Sequence, residues 1–111
     1  DLLDTEKDVK KKINGAFCEE GNIEENGVLS FLEYVIMPLK QDRGEKLEIN
    51  RPEKFGGNLS FSSYEELETV FAKKDLHPMD LKNALATEVN KLLEPMRKNK
   101  EKLEKISSTA Y

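Results

Sequence analysis

Val28, Leu29, Leu32, Val35 and Ile36 recur at i, i+1, i+4, i+7 and i+8, the spacing of an apolar helical stripe. Phe31 widens the stripe further. A helix that is apolar over so much of its circumference cannot lie on a surface. It needs neighbours on several sides, so it is expected to be the most buried element of a bundle. Asn26-Gly27 starts it. Pro38 disfavours helical geometry at the residue before it, so an end near Met37 is expected.

Other helices must cover this one, and the chain supplies them. Thr5 followed by Asp8 opens an N-cap pattern. Val9, Ile13, Ala16 and Phe17 then share one helical face, and Cys18 to Gly21 is expected to end that helix. Ser63 and Glu66 form a capping box ahead of Leu67, Val70 and Phe71. A long final helix is expected from Pro78, with Leu81, Leu85, Val89, Leu92, Leu93 and Met96 on its apolar face. Pro95 removes one N–H and is expected to kink or break it. Beyond it lies a basic tail, residues 97–111, with Leu103 and Ile106 as a weak apolar edge.

Between the helices, Lys40 to Lys46 reads as a charged loop turning at Gly44. Leu47 to Asn50 and Leu59 to Ser62 alternate with period 2, a strand signal. The intervening Arg51 to Asn58 reads as the long tip of a β-hairpin that turns at Gly56-Gly57. The expected fold is therefore mainly α: a small helical bundle with one inserted β-hairpin.

The chain has 111 residues, 37% hydrophobic and 36% charged, which suits one domain with a modest core. It begins with Asp1 rather than methionine, as a piece cut from something longer would. No apolar run approaches the roughly 20 residues of a membrane span. One cysteine, Cys18, excludes an internal disulfide and fits a reducing compartment. One cysteine and one histidine fall far short of a zinc ligand set. A Cys18–His77 nucleophile pair lacks any third, orienting group. The formal net charge of −4 argues against nucleic-acid binding by bulk charge, though not against a small specific contact. The Lys10-Lys11-Lys12 run reads as a solvated face, with a phosphate contact as the other reading. No Gly-rich phosphate loop, paired-acid constellation or metal motif appears, so no self-contained active site is visible.

The chemistry concentrates in Leu76 to Asn83. Pro78 suits a first helical position, which makes His77 the N-cap and puts Met79 and Asp80 in the first turn. An aromatic ring, a soft apolar side chain and a carboxylate then cluster where a helix presents free N–H groups. The plain reading is a helix start with a favourable acid; the other is a ligand site. Phe55, on a glycine-rich tip, is either a core anchor or an exposed platform.

Four stretches taken together carry a resemblance. They are Lys-Lys-Ile-Asn-Gly-Ala-Phe-Cys (11–18), Glu-Asn-Gly-Val-Leu-Ser-Phe (25–31), Glu-Lys-Phe-Gly-Gly-Asn (53–58) and His-Pro-Met-Asp-Leu-Lys-Asn (77–83). In this order and spacing the chain resembles the C-terminal domain of archaeal and eukaryotic tyrosyl-tRNA synthetases. Leu-Leu-Glu-Pro-Met-Arg (92–97) fits too, and Asp1 to Asp4 resembles the segment directly after the family's Lys-Met-Ser-Lys-Ser loop. The resemblance implies an anticodon-binding domain of a class I, cytoplasmic, homodimeric tyrosine–tRNA ligase. The catalytic nucleotide-binding domain, with its ATP and Mg, is absent from this chain; no cofactor is expected here, and no membrane. The implied partners are the anticodon loop of tyrosine tRNA and the chain's own catalytic domain. Phe55 and His77 would sandwich the first anticodon base, a guanine. Asp80 would hydrogen-bond it, Met79 would line the pocket, and Lys82 would lie nearby. This chemistry is consistent: unpaired bases are read by stacking and by their edges, and guanine offers donors to a carboxylate. The alternative is a small helical protein–protein interaction domain, with the Leu81 to Met96 stripe exposed as a groove partner.

Overall fold

The computed structural model describes residues 5–16 and 18–109, with side chains as far as residue 102. The expectations placed on Asp1 to Asp4, on Phe17 and on the side chains of Leu103 and Ile106 lie outside the described residues. The rest is mainly α with one hairpin, as the patterning implies. The elements are α1 (Glu6–Asn14), α2 (Gly27–Phe31), a π-helical segment (Leu32–Ile36), α3 (Met37–Asp42), β1 (Leu47–Ile49), β2 (Leu59–Phe61), α4 (Tyr64–Ala72) and α5 (Pro78–Thr109).

Local rules set the helix starts. The Thr5 hydroxyl accepts from the Asp8 N–H and donates to the Asp8 carboxylate at 2.9 Å. Asn26 is buried and accepts from the Leu29 N–H at 3.1 Å. Its amide nitrogen donates to the Asn22 carbonyl and to the Cys18 sulfur. That contact places Cys18 as a half-buried neighbour of the core. Ser63 accepts from the Glu66 N–H, and the Glu66 carboxylate accepts from the Ser62 and Ser63 hydroxyls.

Several expected boundaries moved. The first helix stops at Asn14, short of Cys18, because Gly15 closes it with bonds to the Lys11 and Ile13 carbonyls. The central helix does not end at Met37. It passes Pro38 and continues to Asp42. The Met37 N–H reaches back to the Leu32 carbonyl, an i→i−5 bond. This wider turn takes up the strain that a proline ring would otherwise put on the preceding turn. Pro38 follows directly, in the first turn of α3. Pro95 likewise does not break the last helix, which runs on to Thr109.

The core is one cluster, with Leu29, Leu32, Leu47, Ile49, Leu67, Phe71, Leu76 and Leu81 at its centre. The central helix contributes most to it, as expected, but Phe31 is 38% exposed and does not widen the buried face. On α5, Leu81, Leu85 and Leu93 are buried while Met96 is 51% exposed. The Leu81 to Met96 stripe is thus mostly used up inside the fold, and it does not form the exposed groove partner of the interaction-domain alternative. The two strands pair antiparallel, Leu47 with Phe61 and Ile49 with Leu59. Leu47, Ile49 and Phe61 point into the core, and Glu48 and Ser60 point out. The hairpin lies against α5 through β1 and against α4 through β2. α1 packs along α5.

Candidate nucleic-acid interface

Leu76 and Leu81 are fully buried on either side of the α5 start. With both leucines pointing in, His77 and Met79 point out, and Asp80 is left half-exposed. The Leu81 N–H bonds the His77 carbonyl at 3.1 Å, which makes His77 the N-cap residue. Its ring closes the cap: Nδ1 accepts from the Met79 N–H at 3.0 Å. In the neutral ring the proton therefore sits on Nε2. The backbone bond thus locks the imidazole against the helix entrance. Asp80 makes no hydrogen bond or ion pair among the described residues. Its carboxylate is held at the positive end of α5 with its acceptor capacity unused.

The hairpin tip supplies the opposite wall. Pro52 leads into a 3₁₀ turn, Glu53–Phe55, closed by Gly56 and Gly57 at φ of +108° and +76°. The Pro52 carbonyl accepts from the Phe55 and Gly57 N–H groups, and the Glu53 carbonyl from the Gly56 N–H. The backbone of so short a tip is thereby bonded within itself. Phe55 is not a core anchor: it is 61% exposed. The Lys54 ammonium lies 5.1 Å from its ring centroid, a cation–π contact.

One residue joins the two walls. Arg51 Nε donates to the Gly57 carbonyl at 2.6 Å, and Arg51 Nη1 donates to the Asp75 carbonyl at 2.8 Å. Its backbone N–H donates to the Asn58 side chain at 2.9 Å. The guanidinium lies so close under the tip that a Cβ at Gly56 would fall 2.7 Å from Nη2. Sequence patterning pointed to the glycines and to Phe55 but passed over Arg51. The one available signal was a long polar donor at the base of a glycine tip.

The walls enclose an open cleft of about 470 Å³ lined by Phe55, His77, Met79 and Asp80, with Arg51, Pro52, Lys74, Asp75 and Glu20 completing it. Lys82 does not reach it. Its ammonium donates to the Asn14 carbonyl at 3.1 Å, at the end of α1. The Cys18–His77 pair is not assembled either: His77 Nδ1 serves Met79, and Cys18 accepts from Asn26. Among the described residues no group of His, Cys, Asp and Glu is placed to hold a metal ion, and no helix is long and apolar enough to cross a membrane.

An aromatic platform, a fixed imidazole and an unpartnered carboxylate around one cleft suit a planar ligand that carries hydrogen-bond donors on its edge. Comparison with known proteins gives the family. Residues 1–94 match the family model of class I tRNA synthetases (W and Y), a model of the synthetases rather than of an anticodon-binding domain as such. The chain is 50% identical over its full length to the cytoplasmic tyrosine–tRNA ligase of Gallus gallus, of which it covers 21%. It is 45% identical to that of Saccharomyces cerevisiae, again over its full length and 30% of the relative. Among solved structures, the tyrosyl-tRNA synthetase of Pyrococcus horikoshii superposes with a TM-score of 0.85 at 37% identity, over 93% of this chain and 27% of that one. That of Archaeoglobus fulgidus gives 0.79 at 41% identity, over 87% and 29%. The chain thus spans between about a fifth and a third of these relatives. With the family model matched along most of its length, the chain belongs to the class I tRNA synthetases, and its homologues there are archaeal and eukaryotic tyrosyl-tRNA synthetases.

Proposed function

We propose that this chain is the anticodon-recognising part of a tyrosine–tRNA ligase, and that the cleft between the hairpin tip and the α5 entrance holds the first anticodon base. The observation that carries the reading is the grouping of Phe55, His77, Met79 and Asp80 around one cleft, with the ring exposed and the carboxylate unpartnered. Phe55 and His77 hold the base by its faces. Asp80 accepts from the donors on the edge of guanine and repels an acceptor-rich edge. Met79 supplies a polarizable wall. Lys82 acts at one remove, by holding α1 to α5. Tyrosine activation with ATP and Mg, and the homodimer contact, belong to the remainder of a longer cytoplasmic synthetase, whose catalytic domain is the partner of this one.

The test is affinity for RNA stem-loops that carry the tyrosine anticodon with each of the four bases at its first position, at one fixed salt concentration. Asp80→Ala should narrow the preference for guanine by roughly 1–3 kcal/mol, by analogy with base-edge contacts in DNA. Loss of Phe55 should weaken every loop by a similar amount, roughly 1–3 kcal/mol, because every base has a π-face. If Asp80→Ala weakens all four loops equally, Asp80 is only a helix-start acid and the reading fails.

A further inference from the structure

We propose that Arg51 is the positioning residue of this cleft: its guanidinium sets the separation between the Phe55 platform and the His77 ring, and so determines how tightly any base is stacked. The inference rests on the base-binding reading above and adds to it a residue whose donors bond backbone carbonyls on both walls.

The two walls come from separate segments of the chain, and each has bonds of its own. The tip is closed by its own backbone bonds around Pro52 and Glu53. The α5 entrance is held by the buried Leu76 and Leu81 and by the His77 cap. Arg51 spans the gap. One nitrogen of its fork bonds the Gly57 carbonyl in the tip, and another bonds the Asp75 carbonyl, two residues before His77. Only a planar guanidinium presents two donors at a fixed angle in this way; a lysine ammonium is a point donor on a flexible stem. Gly56 keeps the space open, since a Cβ there would collide with Nη2. Removing the fork should leave each wall folded and let one drift from the other. The stacking slot would then be less often at the right width, a cost that falls on every base alike.

Arg51 also lines the cleft, so direct contact with an RNA phosphate is the competing role. Its Nε and Nη1 are already engaged by carbonyls, and Nη2 faces the glycine tip, which favours positioning.

The experiment is a double-mutant cycle in the 111-residue chain, with Arg51→Met and Phe55→Ala singly and together. Affinity for the four anticodon stem-loops is read by NMR titration, which reaches weak binding, at several salt concentrations. The expected result for Arg51→Met is a loss of roughly ten-fold for all four loops, in the range one stacking partner carries. The dependence on salt should be unchanged, and Arg51→Met should add no further loss once Phe55 is alanine. Fully additive losses, or no loss, overturn the inference. So does a salt slope lowered by about 0.7, the mark of one lost phosphate contact on a single strand. If Arg51→Met does not fold, the same cycle with Arg51→Lys carries the same expectations, because lysine cannot bridge both carbonyls. If Phe55→Ala alone changes nothing, or the parent chain binds no loop, the base-binding reading itself falls.

Discussion

Lys40 Nζ lies 3.0 Å from Glu88 Oε1, and the two side chains are only 12% and 9% exposed. This ion pair joins α3 to α5 inside the bundle. Glu45 stands 3.8 Å from the same ammonium, and Lys91 stands 3.5 Å from the other Glu88 oxygen. A buried charge that loses its partner is costly, whereas a buried pair replaced by apolar groups of similar size is often neutral. Glu88→Ala should therefore destabilise the chain, but by only about 1–3 kcal/mol, because Glu45 remains beside the Lys40 ammonium. The double change Lys40→Met with Glu88→Leu should recover most of that. Urea unfolding of the variants checks both.

Leu32→Ala and Met96→Ala should separate sharply. Leu32 is fully buried in the π-helical segment, and a cavity there should cost about 2–5 kcal/mol. Met96 shares the helical period of the α5 core residues but is half exposed, and its loss should stay within about 0.5 kcal/mol. Thermal melts of both variants decide whether periodicity or position governs.

Two groups make stability depend on pH at opposite ends. Glu66 is held below the usual carboxylate value of 4.5, first by the Ser62 hydroxyl and then by that of Ser63. Its contribution is present above pH 4.5 and is lost as pH falls through its lowered value. Glu66→Gln should flatten that acid limb. Tyr64 is pushed well above its ordinary 10.0, chiefly by burial and then by its hydrogen bond with Glu68. The folded chain keeps this proton where an unfolded one releases it, so stability falls as pH rises past 10.0. Tyr64→Phe should reduce that alkaline loss. Denaturation midpoints measured across pH read both slopes.

Lys82→Met should loosen α1 and leave base preference intact. The Lys82 ammonium satisfies the Asn14 carbonyl at the negative end of that helix. A hydrogen bond from a charged, partly exposed donor should be worth about 1–2 kcal/mol. Faster amide exchange confined to α1, with unchanged discrimination among stem-loops, is the expected outcome. Lost discrimination would instead put Lys82 in the base-reading site.

The features legible along the chain were those that depend on residues a few positions apart. The caps at Thr5, Asn26, Ser63 and His77 each bond an N–H two or three residues ahead. The hairpin's alternation and the apolar faces of the helices follow from the period of their backbone. The motifs that resemble the synthetases are equally local, and so the family was within reach of the sequence alone. What the tertiary structure decided involves partners far apart in sequence, or competition for a limited interior. Pro38 was absorbed by a π turn because the helix on both sides had a core to bury. Phe31 and Met96 fit the right period but were left outside, since a stripe can be wider than the surface available to cover it. Lys40 found Glu88, Lys82 found Asn14, and Arg51 found Asp75, none of them a neighbour along the chain. The cleft belongs to this second class. His77 and Asp80 are placed by the start of a helix, but they share a cleft with Phe55 only because the tertiary fold brings two separate segments together.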